Sequence, residues 1–106
     1  MFTRVVECTI KGKSHDFIQK LQNEVLPILH EQNGFVDETV LVSTTNPQDV
    51  LALSFWETKE DADQYHREHF DNISEIIRPL LANDPQVRTF NVEHSTSHKI
   101  GAAKAA

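Results

Sequence analysis

The sequence has one cysteine, three isolated glycines and no apolar run longer than a handful of residues, and each shortage removes a class of function. A lone cysteine excludes an intramolecular disulfide; Cys8 alternates with Val6 and Ile10 in an apparent strand, where a small thiol packs as an apolar group. Glycines this sparse build neither a G-x-G-x-x-G turn nor a phosphate-binding loop, so flavin, nicotinamide and ATP have no visible home. No G-x-S-x-G elbow, and no cysteine with a base beside it, marks a nucleophile. Short apolar runs exclude a membrane span, and the charged opening MFTRVVECTI lacks the apolar centre of a signal peptide, so a soluble cytoplasmic protein is expected. Positive charge is scarce as well: ten Lys and Arg stand against sixteen Asp and Glu, scattered singly rather than gathered to neutralise phosphates. Nucleic acid is excluded on that ground.

What is present fits one domain. A length of 106 residues leaves no room for a second core. FTRVVECTI alternates with period two, placing Phe2, Arg4, Val6, Cys8 and Ile10 on one side. Ser14 stands as an N-cap before a helix whose stripe is Phe17, Ile18, Leu21, Val25, Ile28 and Leu29, ended by Asn33-Gly34 and kinked or divided by Pro27. FVDETVLVSTT and VLALSFWE read as strands joined by the turn NPQD, hence as an antiparallel hairpin, the second apolar on both faces and therefore central. Thr58 with Asp61 resembles a capping box opening a long helical region to about Ala82, interrupted by Pro79. VRTFNVEHS is the last strand. The order is βαββαβ: an α+β, ferredoxin-like fold with a four-stranded antiparallel sheet and both helices on one face. The domain is expected over 1–96, with 97–106 a flexible tail. The uncovered sheet face calls for a second copy, predicting a face-to-face homodimer.

The stretch FWETKEDADQYHREHF gathers aromatic residues and two histidines in a charged helix. At 100° per residue, Ala62, Tyr65, His66, His69, Ile73, Ile76 and Leu80 share one direction, with Phe70 and Ile77 at its edge. The histidines therefore point inward, and with Tyr65 and Trp56 they frame a small pocket between Trp56 and His69 for a planar aromatic ligand. Imidazole accepts a proton from a phenol or an acidic C–H at neutral pH. The structural alternative is that both histidines hydrogen-bond to strand carbonyls or water and do no chemistry. H-x-x-H also places two metal ligands on one face, with His94, Glu93 or Glu7 as further candidates, but the spacing matches no defined metal motif, and no metal is expected. His15, His30 and His98 are expected in solvent.

The block SFWETKEDADQYHREHF, with NGF after the first helix, IIRPLLANDPQV and RTFNV, resembles the antibiotic-biosynthesis monooxygenase family of dimeric α/β barrels over about Phe2 to His94. That resemblance implies a homodimer with one pocket per subunit. It also implies oxygenation of quinols and polyphenols by O2 without metal or flavin, because a deprotonated, electron-rich substrate itself passes an electron to O2. On this mapping His69, and after it His66, are bases or anion-stabilising donors, while Trp56, Tyr65 and Phe70 grip the ring. The haem-degrading branch fits poorly: Cys8 stands where that branch has Asn on the first strand, and Asn72 to Glu75 offer no ligating His. Two readings compete with oxygenation: a small-molecule-binding or stress-related dimer without turnover, and a structural dimer with no cavity.

Overall fold

The fold is that of a computed structural model that describes residues 1–98. Strands β1 (Phe2–Thr9), β2 (Phe35–Val42), β3 (Asp49–Trp56) and β4 (Gln86–Asn91) form one antiparallel sheet in the order β2-β3-β1-β4. The β1–β3 pair is central, as the doubly apolar reading of VLALSFWE requires. Two helical regions pack on one face, which completes the ferredoxin-like βαββαβ arrangement.

The first helical region is α1 (Ser14–Lys20), a π turn (Leu21–Val25) and α2 (Leu26–His30). Pro27 has no N–H to donate, and the chain meets it by widening the preceding turn: the Leu26 N–H reaches back five residues to the Leu21 carbonyl. The expected kink is thus a π turn, not a break. Ser14 lies inside the helix rather than capping it; Lys13 holds the cap position with no side-chain bond. Gly34 adopts φ +78°, and a Cβ there would lie 2.1 Å from Asp61 Oδ2, so both backbone conformation and space require glycine. The long helix α3 (Lys59–Ile77) starts as its sequence indicates, with the Asp61 N–H donating to Thr58 Oγ1 at 3.1 Å. A short 3-10 turn at Arg78–Leu80 carries Pro79.

The core between sheet and helices is built from Phe2, Cys8, Phe17, Leu21, Val25, Leu29, Trp56, Ile73 and Ile77, each large side chain contributing about 1.5–3 kcal/mol by burial. On the other sheet face Leu41 and Phe90 remain 48% and 46% exposed. Past β4 the chain crosses this outer face. His98 Nε2 meets Asp37 Oδ2 at 2.6 Å, its ring lies 4.5 Å from that of Phe55, and its side chain is only 14% exposed. The expectation of a solvated His98 is corrected: Asp37 and Phe55, neighbours across β2 and β3, give it a charged partner and an apolar floor. Residues 99–106, the larger part of the expected tail, lie outside the described residues. Among the described residues no helix is long and apolar enough to cross a membrane.

Candidate functional site

Residues directly opposite in an antiparallel sheet share a face, so the strand register sets rows across the helix-covered side. One row is aromatic: Phe2, Trp56 and Phe35 are opposed on β1, β3 and β2. Trp56 is fully buried; its Nε1–H donates to Ser54 Oγ at 2.9 Å, its ring meets Phe35 edge-on at 5.6 Å, and Tyr65 of α3 lies over it at 5.0 Å. The next row, two residues along β1 and β3 and three along β2, is polar: Arg4, Ser54 and Glu38. The row after that is Val6, Ala52 and Val40.

Ser54 and Ala52 are too short to reach the helices, and a cavity of about 40 Å³ remains above them. Arg4, Val6, Cys8 and Glu38 line it from the sheet, Tyr65, Phe70, Ile73 and Ile77 from α3, and Phe17, Leu21, Val25 and Leu29 from the first helical region. The Arg4 guanidinium carbon lies 5.1 Å from the Tyr65 ring centre and 4.9 Å from that of Phe70, a cation held against two π faces. Arg4 is 3% exposed, and among the described residues no carboxylate lies within ion-pair distance of it. Burial lowers its pKa, with attraction to Tyr65 opposing. Glu38 is half-buried, and desolvation raises its carboxyl to about 7, where neutral and ionised forms are both populated at neutral pH. Burial pushes Tyr65 up to about 12 against the opposing pull of Arg4, which keeps its hydroxyl protonated. The Cys8 thiol is pushed to about 11, first by burial, and stays neutral. An uncompensated cation and a carboxyl near its titration point therefore border one small space.

The expected site residues are only partly brought together. Tyr65 and Phe70 line the cavity. Trp56 lies behind Tyr65, which fills the space expected to be open between Trp56 and His69: Tyr65 is 5.0 Å from Trp56 and stacks on His69 at 6.2 Å. Neither histidine lines the cavity, which corrects the inward-pointing reading of the pair. His69 borders a separate polar depression with Glu31, Gln32, Asn33 and Glu68, because this part of α3 faces the loop after α2 instead of the sheet. His66 is exposed, yet its Nδ1 lies 2.8 Å from an Arg4 guanidinium nitrogen and its ring stacks on Phe70 at 4.9 Å. Arginine only donates, so Nδ1 accepts and the imidazole is neutral with its proton on Nε2. Burial first, then the Arg4 charge, lowers the His66 pKa accordingly. Arg4 and Glu38 are the functional candidates that sequence reasoning passed over; the signal for Arg4 was present, a charged residue in the buried parity of β1.

The family model described as antibiotic biosynthesis monooxygenase matches residues 1–85. No curated protein matches the sequence significantly. Among solved structures, SnoaB, a cofactor-independent oxygenase from Streptomyces nogalater, superposes with TM-score 0.74 at 16% identity, over 92% of this chain and 97% of that one. A monooxygenase from the gene ActVA-Orf6 of Streptomyces coelicolor, in complex with the ligand nanaomycin D, gives 0.67 at 22% identity, over 89% and 88%. A conserved protein from Methanosarcina mazei Go1 gives 0.68 at 22%, over 85% and 91%. At these identities the likeness is one of fold.

Proposed function

The chain belongs to the antibiotic biosynthesis monooxygenase family, and from that premise we propose that it is a cofactor-independent monooxygenase that oxygenates a quinol or polyphenol-type aromatic molecule with O2. The observation that carries this reading is the buried Arg4 cation, held against Tyr65 and Phe70 with no carboxylate partner among the described residues, facing a cavity. A buried cation without a counter-charge is costly unless an anion visits it. A phenolate is such an anion. Loss of the hydroxyl proton leaves the electron pair on oxygen; the electron-rich ring then passes one electron to O2, reducing it to superoxide. The two radicals combine in a C–O bond, the peroxide anion takes back the proton first removed, and loss of water from the resulting hydroperoxide leaves a carbonyl. In sum, a ring CH2 and O2 become C=O and water. Arg4 stabilises the anion, Tyr65 and Phe70 hold its guanidinium in place from α3, and the closed aromatic row behind them limits the access of water. His66 enters as the acceptor that orients Arg4. His69, removed from the cavity, is not the proton acceptor in this scheme.

The outer sheet face supports a homodimer as the working unit: Leu41 and Phe90 are its exposed apolar groups, and a second copy is the simplest cover. Sedimentation is expected to give a dimer at micromolar concentration; a monomer would remove this part of the proposal.

The decisive experiment follows O2 consumption with a panel of naphthoquinols and anthrones. Turnover above the uncatalysed rate is expected for at least one compound, with a roughly 10²-fold loss in Arg4→Met. Uncatalysed rates across the whole panel would sink the oxygenase reading. A retained, chemically unchanged ligand in native mass spectrometry would then favour the binder.

A further inference from the structure

The cavity beside Arg4, at about 40 Å³, has room for water but not for a fused ring system. A larger space adjoins it. Between the first helical region and the edge strand β2 runs an open groove of about 430 Å³, bordered by Ile18, Leu21, Leu26, Phe35, Glu38 and Val40, within the size range of small-molecule sites. Leu21 and Glu38 border both spaces, so the groove and the cavity adjoin at those two side chains.

Both walls of the groove depart from regular geometry where they face it. On the helix side, Leu21 opens the π turn that Pro27 imposes. On the strand side, β2 carries a register shift between Phe35 and Asp37, which brings both Phe35 and Glu38 to the helix-covered face although they are three residues apart. π turns and β-bulges re-aim side chains in this way, and they concentrate where ligands bind. Here the bulge aims a carboxyl into a wall that also carries Phe35 and Val40, with Gln22, His30 and Asp37 as the other polar groups bordering the groove. From Glu38 the polar row continues through Ser54 to Arg4, two strand spacings or about 9–10 Å away along the sheet. A planar molecule lying in the groove with its polar edge inward would meet Glu38 first and face Arg4 beyond it.

We propose that the groove between the first helical region and β2 receives the body of a fused-ring hydroxyaromatic molecule, with Glu38 as the catalytic residue that accepts its hydroxyl proton and Leu21 as the residue that limits how far the ring enters. The inference rests on the oxygenase reading for its chemistry, but its geometry stands on the groove. In the proton transfer the substrate O–H bond breaks, the proton passes to an ionised Glu38 oxygen to form a neutral carboxyl, and the electron pair stays on the substrate oxygen, whose charge Arg4 faces. A carboxyl that titrates near 7 is matched to that task at neutral pH. The other titratable groups bordering these spaces are Arg4 and Cys8 on β1, Tyr65 on α3, His30 at the end of α2 and Asp37 beside Glu38.

The probe is 2-naphthol, which reports site and affinity without needing turnover. Methyl chemical shifts are expected to move at Ile18, Leu21, Leu26 and Val40, and Gln22→Trp, which narrows the groove from an exposed helix position, is expected to weaken binding at least tenfold. Leu21→Phe gives a second narrowing from the buried side. Wild-type affinity is expected to change between pH 6 and 8, a dependence absent in Glu38→Gln and retained in His30→Gln. Shifts clustering elsewhere, or unchanged affinity in Gln22→Trp, would overturn the groove; a Glu38→Gln profile like that of wild type would overturn the proton acceptor. Binding in the groove with no O2 consumption on the quinol panel would instead refute the oxygenase reading while leaving the groove in place.

Discussion

Two adjacent rows of one sheet face behave in opposite ways. Phe2, Trp56 and Phe35 close one end of the helix-covered sheet face, the last two ring against ring, while Arg4, Ser54 and Glu38, two residues along β1 and β3 and three along the bulged β2, leave a cavity. The two rows lie on one sheet under the same helices, so the bulge that turns Glu38 inward and the side-chain chemistry of each row make one a seal and the other a site. Large rings bury their whole surface and need only one polar partner, which Ser54 provides to Trp56. A guanidinium and a carboxyl with a short serine between them can neither fill the space nor neutralise each other at that separation. The contrast teaches where to look for function in such a fold: at the polar row framed by apolar ones, not at the most conspicuous aromatic residue.

The contrast breaks most completely at Trp56. Trp56→Ala is expected to lose about 3–5 kcal/mol, from burial and the cavity it leaves, lowering the melting temperature by roughly 12 °C or more for a domain of this size. A shift of a few degrees in thermal denaturation would mean that the sealed row is not part of the core.

Glu38→Gln tests the polar row with the opposite sign. The folded carboxyl titrates at about 7 against 4.5 for the ordinary group, so the folded state binds the proton more readily. Stability from this group is present below pH 4.5 and is lost as pH rises through 7. The variant, which cannot ionise, is expected to be more stable than wild type by about 1–2 kcal/mol at pH 8, discounted for partial solvent access, and indistinguishable near pH 4.5. Urea denaturation at both pH values measures it; a destabilised variant at pH 8 would mean that the ionised carboxylate has a stabilising partner.

Ser54 belongs to both rows, and Ser54→Ala sharpens the distinction between them. It leaves the buried Trp56 N–H without an acceptor, an expected cost of about 1–2 kcal/mol, while Arg4 and Glu38 keep their places. Melting curves check the loss. No loss would show that Trp56 finds another acceptor.

Much of this arrangement was legible before the structure. Period-two alternation placed Arg4 on the same face as Phe2, Val6 and Cys8, and the Thr58 and Asp61 spacing marked the start of α3. Glu38 was hidden for a physical reason. Counting by twos from the inward Phe35 puts Asp37 inside and Glu38 outside, and the bulge between them reverses that parity. The π turn was half-visible: Pro27 announced a disturbance, but not that the helix would continue through it. For α3 the helical spacing placed Ala62, Tyr65 and Ile73 inward as found but set the exposed His66 among them, and it said nothing of what stood opposite each side chain, since that depends on how far the helix overhangs the sheet. Tyr65 thus meets Trp56, His66 meets Arg4, and His69 meets the loop at Glu31–Asn33.

The two histidines supply the smallest and most discriminating effect. On the wheel alone His69 ranks first, being nearer the aliphatic half of α3; the contacts reverse the order, because only His66 touches a residue of the polar row. His66→Ala removes the acceptor of one Arg4 N–H at a partly exposed position, so a loss of a few tenths to about 1 kcal/mol is expected, together with a several-fold fall in any rate that depends on Arg4. His69→Ala is expected to do less to both. The pH dependence separates this account from simple loss of packing. The folded pKa of His66 lies below its ordinary 6.5, so in the interval beneath 6.5 the unfolded chain binds the extra proton and stability drops as the pH is lowered. Protonated Nδ1 no longer accepts from Arg4 and sets a second cation beside it. The cost of His66→Ala should therefore be largest at pH 7.5 and shrink towards pH 5.5. Paired melting curves and initial rates at the two pH values decide it: a larger rate loss in His69→Ala would return the leading role to His69 and reduce the Arg4–His66 contact to a bystander.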